Sequence, residues 1–322
     1  MSDVAPLLAV RNLTKAYRVR RSVGRVEHVP AIDGVSFDVQ RSTTLGIVGE
    51  SGSGKSTIGR CVLGLTDVTG GEVHLDGQRI DDMGVRRLRA LRRRMQMVFQ
   101  SPQRSFDPLM TIRASVQQPL RRLRPDLDAA ARADRLAVVL DGVRLGANLW
   151  DRTPAALSGG QLQRAAIARA LAPEPDLVFL DEPTSALDTS VQGEVLTLLR
   201  DLQARFEVSF VFVSHDLEVV RSIADEVVVM YLGEVVEQGT ARDVFARPSH
   251  PYTQALLAAG RFSADGPVLA ARNTHAAPPG CRLAPRCPVA EAECREPQEL
   301  LEVGPHQLAR CWKAPRLSQP TI

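Results

Sequence analysis

Residues 45–62 read LGIVGESGSGKSTIGRCV. An apolar, strand-like run leads into a glycine-rich loop, and the loop leads into a segment of helical character. Gly49 to Thr57 spell G-x-x-x-x-G-K-S-T. That pattern carries a mechanism when it lies between a strand and a helix, as it does here. Gly52 and Gly54 let the backbone wrap closely, so that successive N–H groups, from Gly49 through Ser51, Ser53 and Thr57, can point at phosphate oxygens. The helix N-terminus adds partial positive charge. Lys55 can reach the β- and γ-phosphates, and the Ser56 hydroxyl can ligate Mg²⁺.

A second apolar run, LVFLDE over Leu177–Glu182, ends in two carboxylates. Asp181 at the strand end suits a carboxylate that supports Mg²⁺, and Glu182 is placed to act as a general base on water. Further strand-like runs at 209–213 and 226–231 alternate with helical stretches, which predicts a largely parallel sheet. Residues 7 to about 40 alternate apolar and polar and predict an antiparallel β part. Residues 101–163 read as mostly helical. VRRLRALRRRM places six arginines within 86–94, but no aromatic interleaves them and the whole chain carries only +3. A solvated basic helix is the reading, not a nucleic-acid patch.

LSGGQLQRAAIARAL, from Leu157 to Leu171, narrows the field. With it the chain resembles the ATP-binding-cassette ATPases over roughly residues 7–245. The resemblance implies a P-loop NTPase (RecA-like) α/β core, an antiparallel β subdomain, an inserted helical subdomain at about 101–163, and a cassette spanning 1–245. It also implies roles. Tyr17 would stack on adenine, Gln100 would sense Mg²⁺ and the attacking water, and His215 would contact the γ-phosphate. Two such domains face each other head to tail, so Ser158, Gly159, Gly160 and Gln161 would meet the partner's nucleotide and Asp188, in SALD, the dimer contact. Glu182 and His215 are both intact, which predicts a hydrolysis-competent subunit.

No apolar run approaches the roughly 20 residues that span a bilayer, and the N-terminal MSDVAPLLAV lacks a signal-peptide pattern. Only about 100 residues separate the phosphate loop from LSGGQ, with no sustained heptads and no second cassette. This sets aside the soluble cassette ATPases of DNA repair and translation. A transporter ATPase docked on separate permeases is expected, with SPQRSFDPLMTI (101–112) as the contact. MVFQSPQRSFDPLMTI, DEPTSALDTSVQGEVLTLL and HPYTQALLAA resemble the cassettes of dipeptide, oligopeptide and nickel importers. That resemblance implies a second, different ATPase subunit in a heterodimer, two permease subunits, an external binding protein, and a place at the cytoplasmic membrane face.

Four of the five cysteines fall late, at Cys281, Cys287, Cys294 and Cys311, within a 246–322 extension. Stable disulfides are rare in the cytosol. Four thiolates suit zinc or a [4Fe–4S] cluster; the gaps are loose for zinc, the resemblance implies the cluster, and reduced thiols are the third reading. A metal would supply cross-linking where the proline-rich segment has little to bury.

Overall fold

The computed structural model describes residues 5–20, 26–260, 269 and 279–314. Two long strands, β1 (Leu8–Arg20) and β2 (Val26–Val39), pair antiparallel, and the short β3 (Thr44–Val48) then feeds α1 (Lys55–Val62). The chain returns through β4 (Gly70–Leu75) and β5 (Gln78–Arg79) to complete a four-stranded sheet of order β2-β1-β4-β5. Next come the arginine-rich α2 (Val85–Leu91) and β6 (Met95–Val98). A helical block follows: α3 (Pro102–Ser105), α4 (Ile112–Leu123), α5 (Ala129–Gly142) and α6 (Gly159–Leu171). Strand and helix then alternate through β7 (Leu177–Asp181), α7 (Thr189–Phe206), β8 (Ser209–Ser214), α8 (Leu217–Ile223) and β9 (Glu226–Tyr231). β10 (Glu234–Thr240), α9 (Ala241–Ala246) and α10 (Pro251–Gly260) precede a last hairpin of β11 (Leu301–Gly304) and β12 (Gln307–Ala309).

The larger sheet has the order β11-β12-β10-β9-β3-β8-β7-β6. From β9 to β6 every pairing is parallel, and β10, β12 and β11 add on antiparallel. β3, β7 and β8 are buried along their whole length, which is why they read as unbroken apolar runs. Their side chains divide by the strand period of two. Leu45, Ile47 and Phe179 join a core shared with the antiparallel sheet and α1. Val48, Val178 and Leu180 join a second core under α4–α8. α1 sits close on β7, because a Cβ on Gly59 would stand 2.4 Å from the Phe179 ring.

The arginine-rich stretch is partly structural. Arg94 Nε donates to Asp176 at 2.5 Å and its Nη2 to Asp76 at 3.1 Å, which ties β6 to the turns before β7 and after β4. Among the described residues no helix is long and apolar enough to cross a membrane.

Candidate nucleotide site and the C-terminal segment

β3 lies between β8 and β9, so the loop at its C-terminal end opens at the middle of the parallel sheet, where open α/β sheets bind ligands. The loop needs its glycines. Gly49, Gly52 and Gly54 all have positive φ. A Cβ on Gly49 would stand 2.2 Å from the Met230 carbonyl oxygen, and one on Gly54 2.4 Å from that of Ala31. Ser51 and Gly52 are exposed at the loop tip, and Ser53 and Lys55 are buried beneath it. Among the described residues the Ser53 hydroxyl has no hydrogen-bond partner. Lys55 Nζ donates to the carbonyls of Gly49 (2.7 Å) and Glu50 (2.9 Å), curled back into the place a phosphate oxygen would compete for. Burial pushes the Lys55 pKa down, against the pull of Glu182, Asp181 and Glu50.

The carboxylate strand delivers the rest. Ser56 Oγ donates to Asp181 Oδ1 at 2.8 Å. Burial pushes the Asp181 carboxyl up, the Ser56 hydroxyl works the other way, and neighbouring Glu182 adds to the rise. A desolvated carboxylate beside a hydroxyl is a setting that a hard cation relieves, so these residues fit Mg²⁺. Glu182 is left-handed at φ 46°, a conformation that costs roughly 1–3 kcal/mol for a side-chain-bearing residue. Its carboxylate accepts from Gln100 Nε2 at 2.8 Å and lies 3.4 Å from His215 Nδ1. Gln100, Glu182 and His215, 115 positions apart from first to last, therefore meet at one carboxylate.

Tyr17 lies on β1, is 37% exposed, and has Lys15 Nζ 5.1 Å from its ring centroid. LSGGQ starts α6 as a capping box: Gln161 N–H donates to Ser158 Oγ (3.3 Å), and Ser158 N–H donates to Gln161 Oε1 (3.0 Å). Ser158 and Gly159 are exposed, and Gly160 packs so tightly that a Cβ would stand 2.7 Å from Val191. Asp188 is the exposed N-cap of α7 and makes no side-chain capping bond.

Comparison with known proteins agrees with this geometry. The ABC transporter family model matches residues 32–185, and the oligopeptide/dipeptide transporter C-terminal region matches 236–294. The dipeptide transport ATP-binding protein DppF of Haemophilus influenzae is 43% identical over 315 residues, 94% of each chain. This chain belongs to the ABC transporter ATPases. A putative peptide import ATP-binding protein of Brucella ovis is 42% identical over 95% of this chain and 97% of its own. The glutathione import ATP-binding protein GsiA of Escherichia coli is 48% identical over 80% of this chain and 41% of its own. Among solved structures, the ATP-binding cassette MJ0796 in a dimeric post-hydrolysis state with ADP and Pi gives a TM-score of 0.65 at 32% identity, over 73% of this chain and 99% of that one. CbiO1 of Clostridium perfringens gives 0.66 at 28% identity, over 75% and 91%.

The late cysteines of this ABC ATPase lie together in its tail. Cys281, Cys287, Cys294 and Cys311 are free thiols in one small folded segment, where Cys281 N–H donates to the Cys294 carbonyl at 2.8 Å. Burial pushes the Cys281 thiol up to about 11, helped by Cys294 and Cys311, and burial raises Cys287 and Cys311 as well. The donor chemistry suits a soft metal, but among the described residues no three His, Cys, Asp or Glu side chains are arranged to hold an ion.

Three residues near the phosphate loop escape a reading by motif: Glu50, Tyr252 and Arg286. Glu50 N–H donates to Tyr252 Oη at 2.9 Å, and Arg286 Nη1 lies 3.2 and 3.3 Å from the Glu50 carboxylate oxygens. The available signal was HPYT, which marks the chain's branch without revealing a contact.

Proposed function

We propose that this ABC ATPase powers an importer of di- or oligopeptides from the cytoplasmic face of the membrane. The observation that carries the reading is the match to peptide-import cassettes along nearly the whole chain, with the C-terminal region included. In this reading residues 1–245 are the cassette, 101–163 its helical part and 246–322 the importer-type extension.

Each residue of the site then has a task. The loop N–H groups and Lys55 hold the β- and γ-phosphates, and Tyr17 stacks on the adenine. Ser56, Asp181 and Gln100 would hold Mg²⁺, which would neutralise charge on the phosphates. Glu182 takes the proton of the attacking water, Gln100 orients that water, and His215 steadies the γ-phosphate. Ser158 to Gln161 and Asp188 serve a facing ATPase subunit, a different chain in a heterodimer. The permeases dock at 101–112, where Leu109 is 88% exposed, and an external binding protein delivers the peptide.

For the tail, the proposal is that Cys281, Cys287, Cys294 and Cys311 would hold a [4Fe–4S] cluster, with zinc the alternative. Their closeness and free thiols support it, and iron, sulfide and zinc analysis after anaerobic purification checks it; protein free of all three overturns it.

Reconstitution with the neighbouring permeases and binding protein tests the transport reading. Peptide-stimulated ATP hydrolysis is the expected result. Stimulation by a metal ion such as nickel, and not by peptides, overturns the substrate assignment.

A further inference from the structure

We propose that Arg286 is a positioning residue for ATP binding: it braces the phosphate loop from the C-terminal segment by way of Glu50. The proposal rests on the loop being the ATP site. Glu50 is the second residue of GESGSGKST and is held on three sides. Its N–H donates to Tyr252 Oη at 2.9 Å, its carbonyl accepts from Lys55 Nζ at 2.9 Å, and its carboxylate faces Arg286 Nη1 at 3.2 and 3.3 Å. Two of those partners come from beyond residue 245.

The guanidinium is itself fixed. Arg286 Nη1 also donates to Tyr231 Oη at 3.2 Å and lies over that ring, and the Tyr231 and Tyr252 rings are 4.6 Å apart. The Arg286 side chain is 14% exposed, against 31% for Glu50. A second arm runs beside the first. Arg282 donates to the Leu232 carbonyl and pairs with Asp33 and, at 3.3 Å, Glu234. The adjoining Gly233 N–H donates to the Ser53 carbonyl at 3.0 Å, and Gly233 accepts from Asp33 N–H at 2.9 Å. Both arginines stand in the turn between Cys281 and Cys287, so one turn reaches the phosphate loop at Glu50 and, through Gly233, at Ser53.

The geometry has a kinetic meaning. Phosphate binding depends on loop N–H groups being aimed before the ligand arrives, and a loop held less firmly binds ATP less tightly. Gln100 and His215 meet the Glu182 carboxylate, whereas the brace is built with Tyr252 and Tyr231, so the effect belongs on ground-state binding and not on the chemical step.

The test is a double-mutant cycle on the full chain: Arg286→Ala, Glu50→Gln, the pair together, and Arg286→Lys. Each single change is expected to raise KM for ATP about 3- to 10-fold with kcat within about twofold, the mark of lost uniform binding. The double variant should raise it no further, since coupled residues are non-additive, and Arg286→Lys should recover part of the loss. Arg286→Ala lowering thermal stability with KM unchanged would make the contact a tail anchor only and overturn the proposal. Additive effects of the two singles overturn it too. Loss of the ATP-site reading is separable, because Lys55→Ala would then bind ATP as wild type does.

Discussion

Glu182 concentrates the chemistry of one residue: a carboxylate at the end of a buried strand, held left-handed, with Gln100 and His215 on its two oxygens. Glu182→Gln is expected to cut ATP turnover about 10²- to 10⁴-fold while leaving nucleotide binding intact, as read by phosphate release and equilibrium binding. His250 shows what a motif alone hides. It is 1% exposed, it accepts from Tyr252 N–H at 3.1 Å on Nδ1, and its backbone N–H donates to the buried Glu237 carboxylate at 3.0 Å. Burial first, then nearby Arg310, lowers its pKa to about 3. The unfolded chain takes up that proton below about 6.5 and the folded chain does not, so the His250 contribution to stability falls as pH drops from about 6.5 towards 3. Burial raises the Glu237 pKa and acts with the opposite sign. The comparison is therefore differential: unfolding of wild type against His250→Asn from pH 7.5 to 5 should show the wild type losing more stability on acidification. The sequence displayed the loop and the carboxylates, because each follows a strand whose apolar run is readable, whereas Gln100 and His215 were legible only through the family resemblance. It hid Tyr252, Glu237 and Arg286, whose partners lie 202, 12 and 236 positions away and are joined only by packing.

At the scale of elements, strands were the legible part. Runs read at 177–181, 209–213 and 226–231 became β7, β8 and β9 with at most one residue added. Their order in the sheet was not legible, since every parallel connection allows several neighbours. The antiparallel additions β12 and β11 could not be foreseen, because strands of three and four residues carry little periodic signal. The β3–α1 turn gives the sharpest test of an element. Gly54 and Gly77 both have positive φ, so alanine strains each by roughly 1–2 kcal/mol. Only at Gly54 does the new Cβ meet backbone, 2.4 Å from the Ala31 oxygen, while Gly77 faces open space. Gly54→Ala should therefore lower the melting temperature more than Gly77→Ala and abolish nucleotide binding, with Gly77→Ala binding normally. At α6, Ser158→Ala removes a capping bond and should cost about 1 kcal/mol in denaturant unfolding.

For the molecule as a whole, the tail completes the main sheet. β12 pairs with β10, and Gln307 Nε2 donates to the buried Glu237 at 2.7 Å. A chain ending at residue 260 is expected to lose thermal stability and to expose β10 as an unpaired edge that self-associates; light scattering and calorimetry on the shortened chain check both. The cassette was readable from LSGGQ, but that the C-terminal strands extend its sheet was not. The position of β3 has one further outcome. Its two sheet partners are β8, with Thr44 opposite Phe210, and β9, with Leu45 opposite Glu226. On the ribosome the phosphate-binding strand is made early and waits for more than half of the chain to follow. Non-local pairing of this kind folds slowly. Nascent chains halted before residue 226 are therefore expected not to capture ATP, because β3 then lacks its β9 partner.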